Sequence, residues 1–282
     1  MRVRLEHSKY GPTAVRLLRV SRKGSRHDIK EATLSIEFEG DFESAHTSGD
    51  NSKILPADTI RNTVYVLSKQ YSPEPIEEFS AHLIEHFLTY NAQVSRIRIE
   101  TKEQLWERIR MGAKSHDSAF ARNVAEQRTS LVIGTRNGVE IWAGVNDLVI
   151  LKSAKSGFEG FLRDPYTILK ETSDRVLAAT LSASWRYLAG EIAYSAIWHG
   201  VRQSLLESFA EHESRSPQQT LYAMADAVLR NFEPLAEIRL SMSVHDYDPV
   251  DLSPFGMQNA NEIFVPAGEP ESVVEATVRR DI

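Results

Sequence analysis

The chain has 282 residues, of which 41% are hydrophobic and 26% charged, a composition typical of a folded protein with one large or two ordinary domains. Its net charge of -6 argues against a nucleic-acid partner, and the absence of cysteine excludes disulfides, thiolate nucleophiles and Cys-ligated metal sites. Because there is no long apolar run and no targeting signal, we expect no membrane partner and a cytoplasmic location.

The first third of the chain predicts a strand hairpin followed by two helices. Alternating apolar residues indicate strands over 14–18 and 29–38. The polar residues 50–52 favour a turn, and Pro56 just beyond them fits the first turn of a helix. The second helix has one apolar face at three-and-four spacing, formed by Phe79, Leu83, Ile84, Phe87 and Leu88.

The middle of the chain returns to strand. Ile97 and Ile99 alternate with arginines, whereas residues 106–120 follow no clear pattern. Strand patterns over 130–133 and 139–142 flank an Asn-Gly pair, which is a strong signal for a hairpin turn. We therefore expect a sheet that continues beyond the two helices.

The second half repeats the plan of strand pair, helix pair and strand pair. Its expected elements are strands at 148–151 and 177–185, helices at 197–209 and 221–232, and strands at 236–244 and 273–278. The repeat predicts an α+β fold of two antiparallel-sheet units with helices on one face, over residues 1–135 and 136–282. Since each sheet needs cover on its other face, we expect an oligomer.

Ordered runs at 54–65 and 160–172, together with Tyr10 and Gly11, resemble the urate oxidase (uricase) family. The resemblance implies a tandem T-fold and a homotetramer around a tunnel, with active sites between subunits. It also implies catalysis without metal or flavin, in which the bound urate anion itself reduces dioxygen.

The residues that grip the substrate in this family match Phe158, Arg175 and Gln218. A Phe stacks on the flat substrate, while an Arg and a Gln hold its edge. Arg presents a planar fork of donors and Gln both donates and accepts, so the trio suits a planar imide-like or urea-like heterocycle. From the residues alone, other readings stay open: Arg175 could pair with Asp174, Phe158 could be core, and Gln218 could cap the helix after Ser216.

The family's proton relay differs in this chain. Pro12 stands in place of the family's Lys, and Ala57 in place of its Thr, so neither can pass a side-chain proton. The family's Asn-x-His motif aligns with Ser243-Val244-His245, in which the His is kept and Ser243 stands in place of the Asn. We expect these two residues, on one face of a strand, to handle protons, water or dioxygen, with a structural His as the alternative.

Two helix starts bear on ligand binding. Backbone N–H groups at Ala57 and Asp58 could contact the ligand, although an acid at a helix start also has a structural reading. Pro217 lacks the N–H with which family members hold a substrate oxygen, a loss of about 1–3 kcal/mol in affinity.

These changes predict a cofactor-independent oxidase or oxygenase that uses dioxygen on a purine-like heterocycle other than urate. Two alternatives stay open, namely slow oxidation of urate and a catalytically silent heterocycle-binding or scaffolding protein. The acidic run that follows His245 contains possible metal ligands, but neighbouring strand residues face opposite sides, so we predict no metal site.

Overall fold

The computed structural model describes residues 3–267 and 272–281, which form two compact units. The first unit holds the described residues up to Gly144 together with Ala193–Ser195, and the second holds the remainder. Both combine antiparallel strands with helices, so the predicted α+β class is confirmed. In chain order the elements are β1 (Lys9–Tyr10), β2 (Val15–Lys23), β3 (Arg26–Gly40), α1 (Glu43–Thr47), α2 (Ala57–Gln70), α3 (Ile76–Tyr90), β4 (Val94–Met111), β5 (Lys114–Thr135), β6 (Gly138–Lys152), β7 (Leu177–Tyr187), α4 (Tyr194–Glu211), α5 (Pro217–Asn231), β8 (Leu235–His245), β9 (Tyr247–Pro249), a 3-10 turn (Ser253–Phe255), β10 (Phe264–Pro266) and β11 (Ser272–Arg279).

The sheet of the first unit is built around β3. Strands β1 and β2 both pair with β3 along one side, β4 pairs along the other, and β5 and the start of β6 follow. Ile36 of β3 lies opposite Ile99 of β4, and both are fully buried. The apolar face of α3 packs on β4 and β5, as its spacing predicts, and closes the core.

The hairpin of β4 and β5 is longer than the sequence predicts. The stretch 106–120, which follows no clear pattern, continues both strands to a turn at Gly112, whose φ of 61° favours glycine. Most side chains near this turn are exposed on both strand faces. Because this part of the hairpin buries neither face, its residues need not alternate between apolar and polar, and the sequence therefore carries no strand pattern there.

The second unit pairs its strands in the order β6, β7, β8 and β11. From Leu240 to His245, buried residues of β8 alternate with half-buried ones, and α5 packs against β8 and β11. Thr180 of β7 lies directly opposite Ser243 of β8, on the polar face of the sheet. The predicted alternation of β8 is therefore confirmed, and this polar face carries Ser243 and His245.

Strands β9 and β10 form a separate two-stranded ribbon that the sequence does not predict. The expected boundary at 135/136 between repeated units lies in the turn between β5 and β6. That division of the chain stays a prediction.

Candidate functional site

Phe158 and Arg175 contact each other in the second unit. The guanidinium carbon of Arg175 lies 5.5 Å from the centre of the Phe158 ring, within the range of a cation–π interaction. Phe161 stacks on the same ring at 5.1 Å and 15°. Phe158 is held by Thr172, since its N–H donates to the Thr172 carbonyl at 2.7 Å and its carbonyl accepts from the Thr172 N–H at 3.2 Å. The Phe158 side chain is half-buried rather than part of the core.

The charged partner of Arg175 is Asp246, which is distant in the sequence. Nη1 of Arg175 lies 3.4 Å from Oδ1 of Asp246. The alternative pairing with Asp174 is wrong, because Asp174 instead accepts a 3.3 Å hydrogen bond from the Ser156 N–H. The backbone N–H of Arg175 donates to the Ser156 carbonyl at 2.7 Å. Within residues 3–267 and 272–281, the buried Nε of Arg175 has no hydrogen-bond partner.

Gln218 is the second residue of α5, and its side chain is exposed. It does not cap the helix: the Ser216 hydroxyl accepts from the Gln219 N–H at 3.1 Å, and Pro217 occupies the first helical position. The Gln219 amide is also engaged, because it accepts from the Arg215 N–H at 3.0 Å. Across the part of the chain that the structure describes, the Gln218 amide makes no hydrogen bond, so it can bind a ligand.

Backbone hydrogen bonds join the segment that carries Phe158 to the connection that leads into α5. The Gly157 N–H donates to the Ser214 carbonyl at 2.8 Å, and the Ser214 N–H donates to the Lys155 carbonyl at 3.0 Å. Beneath them, the Lys152 ammonium donates to the Phe209 carbonyl at 3.3 Å, near the end of α4. Burial and the neighbouring Lys155 lower the pKa of Lys152. The segment that carries Phe158 and the connection that leads to Gln218 are therefore held by the same set of contacts.

His245 forms a side-chain pair with Thr180 across β7 and β8. The two atoms, His245 Nε2 and Thr180 Oγ1, are 2.8 Å apart. Ser243 lies opposite Thr180 on the same polar face, so the structure brings Ser243 and His245 together. A hydroxyl and an imidazole in contact can exchange a proton. Sequence reasoning missed Thr180, although the alternation of β7 already places it among polar neighbours.

Ala57 and Asp58 belong to the first unit, whereas the other five candidates belong to the second. Ala57 is the first residue of α2 and is exposed. The Asp58 carboxylate contacts Arg61 and accepts from the Asn62 amide at 2.9 Å, both on its own helix. Its side chain therefore stabilises the helix, and no backbone acceptor in the described part of the chain takes the N–H groups of Ala57 and Asp58.

The described residues contain no group of three or more His, Asp or Glu side chains arranged to hold a metal ion. Over the same residues, none of the helices combines the length and apolar character needed to cross a bilayer.

Known proteins resemble this chain over nearly its whole length. The profile of the family described as Uricase matches residues 8–133 and 141–275. A uricase from Arthrobacter globiformis is 40% identical over 280 residues, which are 99% of this chain and 91% of that protein. A uricase from Oryctolagus cuniculus is 33% identical over 280 residues, with 97% of this chain and 93% of that protein covered.

Solved structures agree with these sequence matches. The crystal structure of the Arthrobacter globiformis uricase has a TM-score of 0.95 at 40% identity and covers 100% of this chain and 96% of that chain. A hyperthermostable mutant of the urate oxidase from Bacillus sp. TB-90 has a TM-score of 0.85 and covers 97% of this chain and 99% of that chain, and its 22% identity supports the fold alone. The tandem T-fold prediction is thereby confirmed, and the chain belongs to the uricase family of oxidoreductases.

Proposed function

We propose that this protein oxidises urate with dioxygen, without a metal ion or organic cofactor, at a site formed by Phe158, Arg175 and Gln218. The observation that carries the proposal is the Arg175 guanidinium 5.5 Å from the half-buried Phe158 ring. Phe161 stacks on that ring, and we propose that the flat substrate extends this aromatic surface beside the guanidinium. The guanidinium fork then meets a carbonyl or anionic nitrogen at the ligand's edge, and the exposed Gln218 amide meets another edge atom.

The choice of urate differs from the expectation drawn from the sequence, which favoured a related heterocycle. That expectation gains no support from the relatives, since those from Arthrobacter globiformis and Oryctolagus cuniculus are both named uricase. The retained Phe, Arg and Gln also fit the resemblance to urate-binding members. We therefore take urate as the substrate and treat other heterocycles as comparison ligands.

We expect the reaction to be slow. Pro12 and Ala57 cannot pass a side-chain proton, and proton transfer by a positioned group contributes about 10²–10⁴-fold to a rate. We assign the remaining proton handling to His245 and its partner Thr180, whose side chains are 2.8 Å apart. We assign to Ser243, which lies opposite Thr180 on the same face, the role of holding water or dioxygen.

We further propose a homotetramer in which the start of α2 faces the substrate of a neighbouring subunit. The exposed backbone at Ala57 and Asp58 supports this, because a helix start offers unpaired N–H groups to an electron-rich ligand. Light scattering on the purified protein tests the assembly, with a mass of about four chains as the expected result.

The first experiment measures dioxygen uptake and the loss of urate absorbance after chelator treatment of the protein. Urate-dependent uptake that Arg175→Gln abolishes would support the proposal. Arg230→Gln, at a side chain 77% exposed on α5, is the matched control and should leave uptake unchanged. Uptake with other planar heterocycles but not with urate would overturn the choice of substrate.

A second candidate function is heterocycle binding without oxidation. The observation that favours it is the pair of side chains at Pro12 and Ala57, which cannot take part in proton transfer. Binding of urate by calorimetry, without any dioxygen uptake, would establish this function in place of the oxidase.

A further inference from the structure

The Arg175 guanidinium, which we assign to the substrate's edge, is also next to a carboxylate. Oδ1 of Asp246 lies 3.4 Å from Nη1 of Arg175, and the side chains are 50% and 24% exposed, respectively. The ring of Phe158, onto which we propose that the flat ligand stacks, is 5.5 Å from the Arg175 guanidinium carbon. A negative charge therefore stands beside the cation that receives the substrate.

We propose that Asp246 is a specificity-determining residue that weakens the binding of anionic heterocycles relative to neutral ones. This inference rests on the proposed heterocycle site at Phe158 and Arg175. The carboxylate compensates part of the Arg175 charge and repels a negative ring at close range, while a ring N–H gains an acceptor. At neutral pH urate is a monoanion, so Asp246 reduces the affinity of the site for urate.

A structural role for Asp246 predicts a different pattern. If the carboxylate only held Arg175 in place, its removal would loosen the guanidinium and weaken every ligand that the guanidinium grips. If Asp246 instead sets specificity, its removal changes the affinity for anionic ligands more than the affinity for neutral ones. Arg175 also has other anchors, since its backbone N–H donates to the Ser156 carbonyl at 2.7 Å and its side chain lies against Phe158.

Equilibrium binding separates these roles without depending on turnover. Calorimetry on the full chain under nitrogen would use urate as the anionic probe and hypoxanthine, which is neutral at neutral pH, as its counterpart. In Asp246→Asn, we expect urate to bind about three- to tenfold more tightly, and hypoxanthine to change by less than about twofold. The gain for urate should shrink as salt is raised, because ions screen partly exposed charges.

Asp248→Asn is the matched control. Asp248 is also exposed, lies two residues away and pairs through its backbone with Val265 of β10, so its replacement makes the same change in net charge. It should leave both affinities unchanged. Equal unfolding midpoints for the two variants would show that both remain folded.

Either of two results would overturn the inference. One is an equal change in the affinities for urate and hypoxanthine in Asp246→Asn, and the other is an equal gain in urate affinity in Asp248→Asn. If the wild-type chain binds urate without oxidising it, the proposed oxidase fails while the charge-selective response to Asp246→Asn can still hold. If it binds neither probe, the site itself is wrong, and both proposals fall.

Discussion

The Tyr10 hydroxyl accepts a 2.9 Å hydrogen bond from the Leu55 backbone N–H, which ties β1 to the segment that enters α2. Each of these residues lies two positions before a departure from the family pattern, at Pro12 and at Ala57. The Tyr10 ring also packs edge-on against Phe42, with ring centres 4.8 Å apart. Burial raises the pKa of the Tyr10 hydroxyl, so this group stays neutral when it accepts the bond. The two altered segments are thus joined within the first unit.

Tyr10→Phe keeps the ring contacts and removes only the acceptor. We expect a loss of about 1–2 kcal/mol in the free energy of unfolding, because the half-buried Leu55 N–H is left unsatisfied. Urea unfolding followed by circular dichroism measures it. The control is Tyr90→Phe, at a side chain 74% exposed, which should change stability little. An equal change in both variants would mean that the bond contributes nothing specific.

The double variant Pro12→Lys with Ala57→Thr restores the family's relay residues. We expect urate oxidation to rise by about 10²-fold or more, since proton transfer contributes about 10²–10⁴-fold. The Pro12 carbonyl accepts from the Ile36 N–H at 2.9 Å, and lysine keeps that carbonyl. Steady-state dioxygen uptake is the measurement, and Thr13→Lys with Ala57→Thr controls for the added charge. A double variant no faster than wild type would indicate that the pocket has been reshaped around another ligand.

Thr180→Val removes the hydroxyl that contacts His245 and nearly preserves the side-chain shape. We expect urate oxidation to fall by about tenfold, because the imidazole loses the hydrogen-bond partner that fixes its orientation. Thr180→Ser keeps a hydroxyl and should retain most of the activity. If serine and valine reduce the rate equally, then packing and not the hydrogen bond explains the loss.

Glu237 of β8 forms two ion pairs, one with Arg239 on its own strand and one with Arg279 on β11. It contacts Arg239 at 2.7 Å and Arg279 at 2.6 Å, and its side chain is only 3% exposed. Burial raises the pKa of Glu237, but the two guanidinium groups outweigh burial and hold that pKa below its ordinary value. A lowered pKa means that Glu237 stabilises the fold at pH values above the ordinary Glu pKa of about 4.3. This stabilisation is lost as the pH falls through the lower, folded-state pKa.

We therefore expect Glu237→Gln to lower the free energy of unfolding by about 1–2 kcal/mol at neutral pH. The difference from wild type should shrink as the solution is acidified, because the wild-type carboxyl is then protonated and neutral, like the Gln side chain of the variant. Urea unfolding at several pH values measures this. Glu275→Gln, at an exposed position on β11, is the control. A difference that does not depend on pH would contradict an electrostatic origin.

Much of the fold follows from local patterns in the sequence. The alternation along β8 correctly places Ser243 and His245 on the polar face, and the apolar spacing of α3 and α5 predicts both helices. Those patterns exist because each element buries one face. The arms of β4 and β5 bury neither face near Gly112, and so no periodicity marks them.

The pairing of charges at the site could not be found in the same way. Asp174 is the neighbour of Arg175 in the sequence, yet the pair forms with Asp246, which is 71 residues away. Thr180 and His245 meet only because β7 and β8 align antiparallel in one register. Such partners depend on tertiary contacts, whereas a composition or a spacing reports on one segment at a time.

The two ends of the loop between Phe158 and Thr172 are held together, because these two residues form backbone hydrogen bonds with each other. Between these anchors, Leu162 and Ile168 are each 94% exposed. Because the Phe158–Thr172 hydrogen bonds close the loop at its base, the position of the Phe158 ring does not depend on the length of the loop. A peptide tag inserted between residues 164 and 168, or a protease cut there, would consequently leave the stacking platform in position. We therefore expect a probe attached between residues 164 and 168 to leave the affinity for urate unchanged.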